Sequence, residues 1–205
     1  MEKPILQLFE EDGVEYLATH QSSIPTLRVL EKTDERVLVI SRDIIYEATF
    51  DQHCKTELWK DCALRSSMEK KMPGLLGPAI WDAVVEVELD NDLIPVPDHF
   101  KKYETREPYK TKDKVFVLSF DEANKYFADK FDRRCKPIKG VFSKGFWLRT
   151  PGRKVSSSPT KHACIVGEMG DINKKGSLPN EVWGVRPAFW LDRSKINIEV
   201  RDEGK

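Results

Sequence analysis

The chain has 205 residues, 40% of them hydrophobic and 33% charged, with 34 Lys and Arg against 34 Asp and Glu. This length is enough to bury a core without metals or disulfides, and zero net charge removes any whole-molecule argument for nucleic acid or an anionic membrane surface. No run approaches the roughly 20 apolar residues of a membrane span, and the start of the chain lacks the apolar run of a signal peptide. The expected location is cytoplasmic, where Cys54, Cys62, Cys135 and Cys164 stay free thiols.

In chain order, residues 14–18 read as a weak strand. Residues 26–30 and 36–41 are apolar runs around a short polar loop, which predicts a β-hairpin. Residues 43–55 read as loop. From 59 to 72 the spacing turns helical, with Trp59, Cys62, Ala63 and Met68 on one face and Pro73-Gly74 as the stop. Pro78 opens a second short helix over 78–85, and alternation over 85–89 predicts a strand.

Residues 91–111, rich in proline and charge, read as a long irregular loop. A strand over 115–119 then leads to a helix over 122–130. Ser119 or Asp121 caps that helix, and Ala123, Tyr126 and Phe127 face inward. The last third reads as strands at 145–149, at 162–166, around Ile172 and at 184–191, with a flexible serine-containing loop at 154–161 and a tail at 193–205. Strands first, helices in the middle and strands last imply a single α+β domain.

Two stretches echo each other. One is Gly145-Phe146-Trp147-Leu148-Arg149-Thr150-Pro151-Gly152. The other is Trp183-Gly184-Val185-Arg186-Pro187-Ala188-Phe189-Trp190-Leu191-Asp192. Side chains alternate across a strand, so Phe146 and Leu148 point opposite to Trp147 and Arg149. If one face is solvated, one of these pairs is core.

Five motifs in order carry a resemblance. They are Val39-Ile40-Ser41, Trp59-Lys60-Asp61-Cys62-Ala63-Leu64-Arg65, the run from Val115 to Ala123, the run from Phe146 to Gly152, and Gly184-Val185-Arg186-Pro187-Ala188. Together they resemble an uncharacterised bacterial family, domain of unknown function 6273, over about residues 26–192. The chain departs from that pattern at Leu27, at Phe146-Trp147 and at Ser67-Met68-Glu69, where the family usually has tryptophan, a doubled tryptophan, and tryptophan-leucine-asparagine. The closing strands are also similar to the C-type-lectin-like fold, including the formylglycine-generating enzymes. That similarity implies small antiparallel sheets flanked by two or three helices with long loops, and terminal strands lying close together. Those enzymes use a late pair of cysteines. Cys164 stands alone in that region, so the activity is not transferred.

Arg149 and Arg186 have two readings. A guanidinium offers a planar fork of donors for an anion, or it pins loops from a buried position; the second is favoured. Trp147 and Trp183 read as core first and as a stacking platform second. No Asp or Glu occurs from 133 to 167, where Arg153, Lys154 and Lys161 lie, whereas 82–98 holds six acids and no Lys or Arg. The two stretches either face each other or form separate solvated faces, and the basic one has a minority reading as a phosphate or nucleic-acid surface.

No metal or cofactor is expected. His53, Cys54 and Cys62 lack a fourth ligand and any C-x-x-C pair. Asp90-Asn91-Asp92 and Asn180-Glu181 carry calcium-type oxygens but match no EF-hand. The leading expectation is a non-enzymatic binding or protein-interaction module. An anionic ligand or protein partner would meet the loops at 149–161 and 173–182, with Arg149, Arg153, Lys154, Lys161, Arg186, Trp147 and Trp183 as weak candidates. The alternatives are phosphate or nucleic-acid binding by 133–161, and an enzyme of unrecognised type built around Arg149 or Arg186.

Overall fold

The predicted hairpin forms as β3 (Leu27–Lys32) and β4 (Arg36–Ser41). Every residue of β4 after Arg36 is buried, although side chains alternate between faces, so both of its faces are covered. A computed structural model describes residues 3–143, 145–154 and 161–201 and shows what covers them. β4 lies inside a seven-stranded sheet. On one side it pairs with β13 (Ala188–Asp192), which pairs in turn with the short β6 (Val84–Val85). On the other side follow β3, β2 (Val14–Ala18), β1 (Ile5–Glu11) and β14 (Asn197–Val200).

β1 and β14 were not expected as strands. The stretch read as a tail returns to the sheet, β14 running parallel to β1 with Asn197 N–H on Pro4 O at 2.9 Å. Ile196 is buried and Ile198 packs on the core, and this alternation holds the segment down.

A second, five-stranded sheet has the order β11 (Ile172–Ser177), β10 (Ala163–Val166), β9 (Phe146–Pro151), β12 (Val182–Val185), β5 (Tyr46–Thr49). β5 forms within the segment expected to be loop. All six residues of β9 are buried, so both side-chain pairs of the aromatic run are core. The single strand expected over 184–191 is two strands in two sheets. Pro187 has no N–H to extend the first ladder, and its carbonyl instead accepts Ser41 N–H at 2.8 Å, seeding the β13–β4 pairing. The two echoing motifs do meet: β12 runs parallel to β9, and Gly184 N–H bonds Gly145 O at 3.0 Å.

Residues 115–119 are buried but form no strand. They thread between the sheets, Phe116 exchanging both bonds with Ala188 of one while Leu118 O accepts Arg149 N–H of the other. A segment shared between two sheets has no continuous neighbour to ladder with. In the irregular 91–111 region, β8 (Tyr109–Asp113) pairs with β7 (Val87–Asn91), whose alternating burial matches the sequence pattern, and a 3₁₀ turn spans Asp98–Tyr103.

Helix α1 (Ala63–Ala83) follows a 3₁₀ turn at Trp59–Asp61. Leu64, Met68, Met72, Leu76 and Ile80 are buried at four-residue spacing, while Ala63, expected on that face, is exposed. The helix runs through Pro73, because the buried stripe continues across it. It breaks at Gly77 (φ +73°, ψ 159°), where the residue before Pro78 is disfavoured in helical conformation and glycine tolerates positive φ.

The helix expected over 122–130 is two short ones, α2 (Phe120–Lys125) and α3 (Lys130–Arg133). Ser119 caps the first, and Asp129 restarts the chain as cap of the second. Ala123 and Phe127 are buried and Tyr126 is half-buried. Sheets dominate and the helices are few, a mixed α and β architecture. The serine-containing loop expected at 154–161 lies mostly outside the described residues.

The contact of β12 with β9 requires glycine. A Cβ at Gly184 would sit 2.6 Å from Gly145 O and 2.5 Å from Ile44 Cγ2. Gly184→Ala is expected to lower unfolding free energy by about 1–3 kcal/mol, the usual cost of overpacking, as a drop in the urea midpoint at unchanged slope.

Candidate functional site

The site is built outward from Arg149. β9 places this side chain in the interior at 2% exposure, where a charge needs full compensation. The partner comes from the cap of α2. Ser119 Oγ accepts Glu122 N–H, and Glu122 Oε2 accepts Ser119 N–H at 2.9 Å, a reciprocal capping box. The same carboxylate turns toward β9: Arg149 Nη2 donates to Glu122 Oε1 at 2.8 Å, and Nη1 donates to Oε2. Nε donates to Asn91 Oδ1 (3.1 Å), Nη1 also to Val117 O (3.1 Å), and Nη2 also to Asp90 O (3.2 Å). A guanidinium has five N–H donors. All five are engaged, so Arg149 has none left for an anionic ligand.

Beside this pair opens a cleft of about 600 Å³. One wall is a face of the large sheet, Arg36, Leu38 and Trp190; the other is β7 with the residues flanking it, and α2 with the residue after it closes one end with Asp121, Glu122 and Tyr126. Six carboxylates line it (Glu86, Glu88, Asp90, Asp92, Asp121 and Glu122) against two arginines, Arg36 and Arg149. Glu88 and Asp90 pair with Lys110 of β8 at 2.7 and 3.5 Å. Glu86, Asp92 and Asp121 are exposed and have no ionic partner among the described residues. The Arg36 guanidinium carbon lies 4.5 Å from the centre of the half-buried Trp190 ring, a cation–π contact. Among the described residues no group of three or more His, Cys, Asp or Glu is placed to hold a metal ion, and this includes His53, Cys54 and Cys62.

The remaining sequence candidates lie elsewhere. Trp147 is fully buried, edge-on to Phe50 (5.5 Å) and Trp183 (6.4 Å), with Nε1 donating to Ala48 O at 2.8 Å. Trp183 is half-buried and donates to Ser177 Oγ at 2.9 Å. Arg153 continues β9 toward β11, its N–H on Lys174 O at 2.7 Å, and Lys161 Nζ donates to the Lys55 carbonyl. Lys154 is half-buried at the same end, near enough to act on Glu104, which pairs with Arg106 at 2.5 Å. Burial raises the Glu104 carboxyl pKa, but the hydrogen bonds from Arg106 and the charges of Arg106 and Lys154 together outweigh it and hold the group below its usual range. Arg186 sits at the β12–β13 corner, away from the cleft.

Among the described residues the acidic stretch does not use the basic one for its ion pairs. Asp82 pairs with Lys195 at 3.7 Å, Asp98 with Lys101 at 2.8 Å, and Glu88 and Asp90 with Lys110. Cys62 and Cys164 are buried, and burial pushes each thiol up to about 12, far from a thiolate at neutral pH.

The sequence profile of a family described as domain of unknown function (DUF6273) matches residues 34–193. The chain belongs to this family. No curated protein and no solved structure matches it. The DUF6273 span contains the whole cleft, from Arg36 to Trp190, and starts inside the β3–β4 hairpin rather than ahead of it. No helix among the described residues is long and apolar enough to cross a membrane.

Sequence reasoning did not reach Arg36, Asp121, Glu122 or Tyr126 as site residues. Ser119-x-x-Glu122 is a visible capping signature, but nothing in it shows that the carboxylate also neutralises Arg149. Glu122→Gln is expected to destabilise by about 3 kcal/mol, the low end for breaking a buried pair, because the Glu122 side chain is 23% exposed. Combined with Arg149→Met it should cost less than the two single changes summed, a coupling readable by urea denaturation of the double-mutant cycle.

Proposed function

We propose that the chain is a non-enzymatic binding module of C-type-lectin-like plan. Its ligand site is the acid-lined cleft, and its ligand is a lysine- or arginine-bearing segment of a protein partner. The observation that carries this reading is that three carboxylates with no ionic partner among the described residues, Glu86, Asp92 and Asp121, line the same cleft as Trp190. Carboxylates spread along a cleft suit a chain of separate cationic groups, and an aromatic wall adds attraction for them. Arg36 over Trp190 shows the contact that such a ligand side chain would make. Arg149 is the floor of the site rather than a hand for an anion, its donors being committed within the chain.

The lectin-like plan is supported by β14 lying beside β1, by two larger sheets and one two-stranded sheet with few helices, and by the long, mostly irregular connection between β7 and β8. The cytoplasm is the compartment that suits four cysteines all in the free state.

The test is titration with a hexalysine peptide, followed by calorimetry. Binding is expected at low salt and should fade as screening increases, with hexaglutamate inert. Replacing Glu86, Asp92 and Asp121 together by Gln, Asn and Asn should weaken binding by about tenfold or more, a loss of at least about 1.4 kcal/mol. Equal binding by the two peptides, or an unchanged affinity in the triple variant, defeats the proposal.

A further inference from the structure

Arg186 presents a problem of hydrogen bonding that Arg149 does not. Its side chain is likewise 2% exposed. Nε donates to Ser41 O at 2.7 Å, but Nη1 is buried with no hydrogen-bond partner among the described residues. The neighbouring Arg28 of β3, 9% exposed, has the same defect: its Nη1 and Nη2 hold Asp132 at 2.5 and 2.8 Å, while its Nε is buried and unpartnered. The two guanidinium carbons lie 4.6 Å (Arg28) and 5.1 Å (Arg186) from the centre of one ring, Phe127, and that of Arg186 lies 5.4 Å from Phe146.

The surrounding charges do not supply the missing acceptor. Asp132 acts on Arg186 but spends both carboxylate oxygens on Arg28. Asp43 is near enough to act on Arg186 but makes no ion pair with it. Cys135 lies close as well, but burial pushes its thiol up and keeps it protonated. Burial also pulls the pKa of Arg186 down, and the charge of Arg28 adds to that. Arginine nevertheless stays protonated in proteins, so both orphaned N–H groups belong to cations. What they lack is an acceptor, and a charged one makes the stronger hydrogen bond with a cationic donor.

We infer that Arg186 Nη1 and Arg28 Nε share a small monatomic anion, chloride under ordinary conditions, held in the interior beside Phe127. A halide needs only donors converging on a point. A phosphate or sulfate needs room for four oxygens, which the aromatic rings packed on both guanidiniums deny it. The site is separate from the cleft of the proposed function and of opposite sign.

The test is direct. Crystals grown or soaked in sodium bromide are expected to show an anomalous peak within hydrogen-bonding distance of both Arg186 and Arg28. An ordered water there, the Asp43 carboxylate swung into its place, or bromide only at surface lysines overturns the inference. In solution, the melting temperature should be higher in sodium chloride than in sodium gluconate of equal ionic strength, by mass action on the folded state. It should become indifferent to the choice of salt in Arg186→Gln. Identical melting in the two salts for the unaltered protein counts against the site, and should the variant fail to fold, the diffraction result decides.

Discussion

The interior depends on one ion pair, Arg149 with Glu122. Every N–H of the guanidinium is used, and the acceptors come from α2, from β7 at Asp90 and Asn91, and from the threading segment at Val117. Three pieces of chain, β7, the threading segment and α2, are thereby fixed around one side chain of β9. Such a pair adds little net stability compared with a well-packed apolar substitute. Its value lies in geometry: a planar fork accepts only one arrangement of these segments. The capping box places Glu122 before Arg149 claims it, so a local signal and a long-range contact support the same conformation.

The second constraint is the corner at Arg186-Pro187. Proline ends one ladder, and its carbonyl begins the other, so the same ten residues serve both sheets. The two arginines divide labour at this junction. Arg149 is neutralised within the chain and forms the floor of an acidic cleft, while Arg186 lies behind the corner with donors to spare.

Much of this was legible in the sequence, and the failures share a cause. The β3–β4 hairpin, the buried stripe of α1 and the strand at β9 announce themselves through local periodicity. Burial of both faces of β9 did not, because alternation shows only that a strand has two faces and not what covers each. Residues 115–119 read as a strand by composition, yet a segment bonded to two sheets at once satisfies apolar burial without laddering. The edge strands β5 and β14, and β1 next to the latter, carry weak patterns because they bury little. As for the cleft, the acidic run at 82–98 was visible as unusual. Its meaning depended on Trp190, about a hundred positions away, and α2, about thirty away, being folded against it.

The pairing of β14 with β1 has a mechanical side. The two strands are parallel and adjacent, with Asn197 beside Ile5 and Val200 beside Leu8. Tension applied ahead of β1 and beyond β14 would therefore pull the strands along their length in opposite directions. The ladder bonds between them would be loaded together in shear, not peeled one at a time. Joined at both ends into a longer chain under strain, this fold would present its clasp in its most resistant orientation.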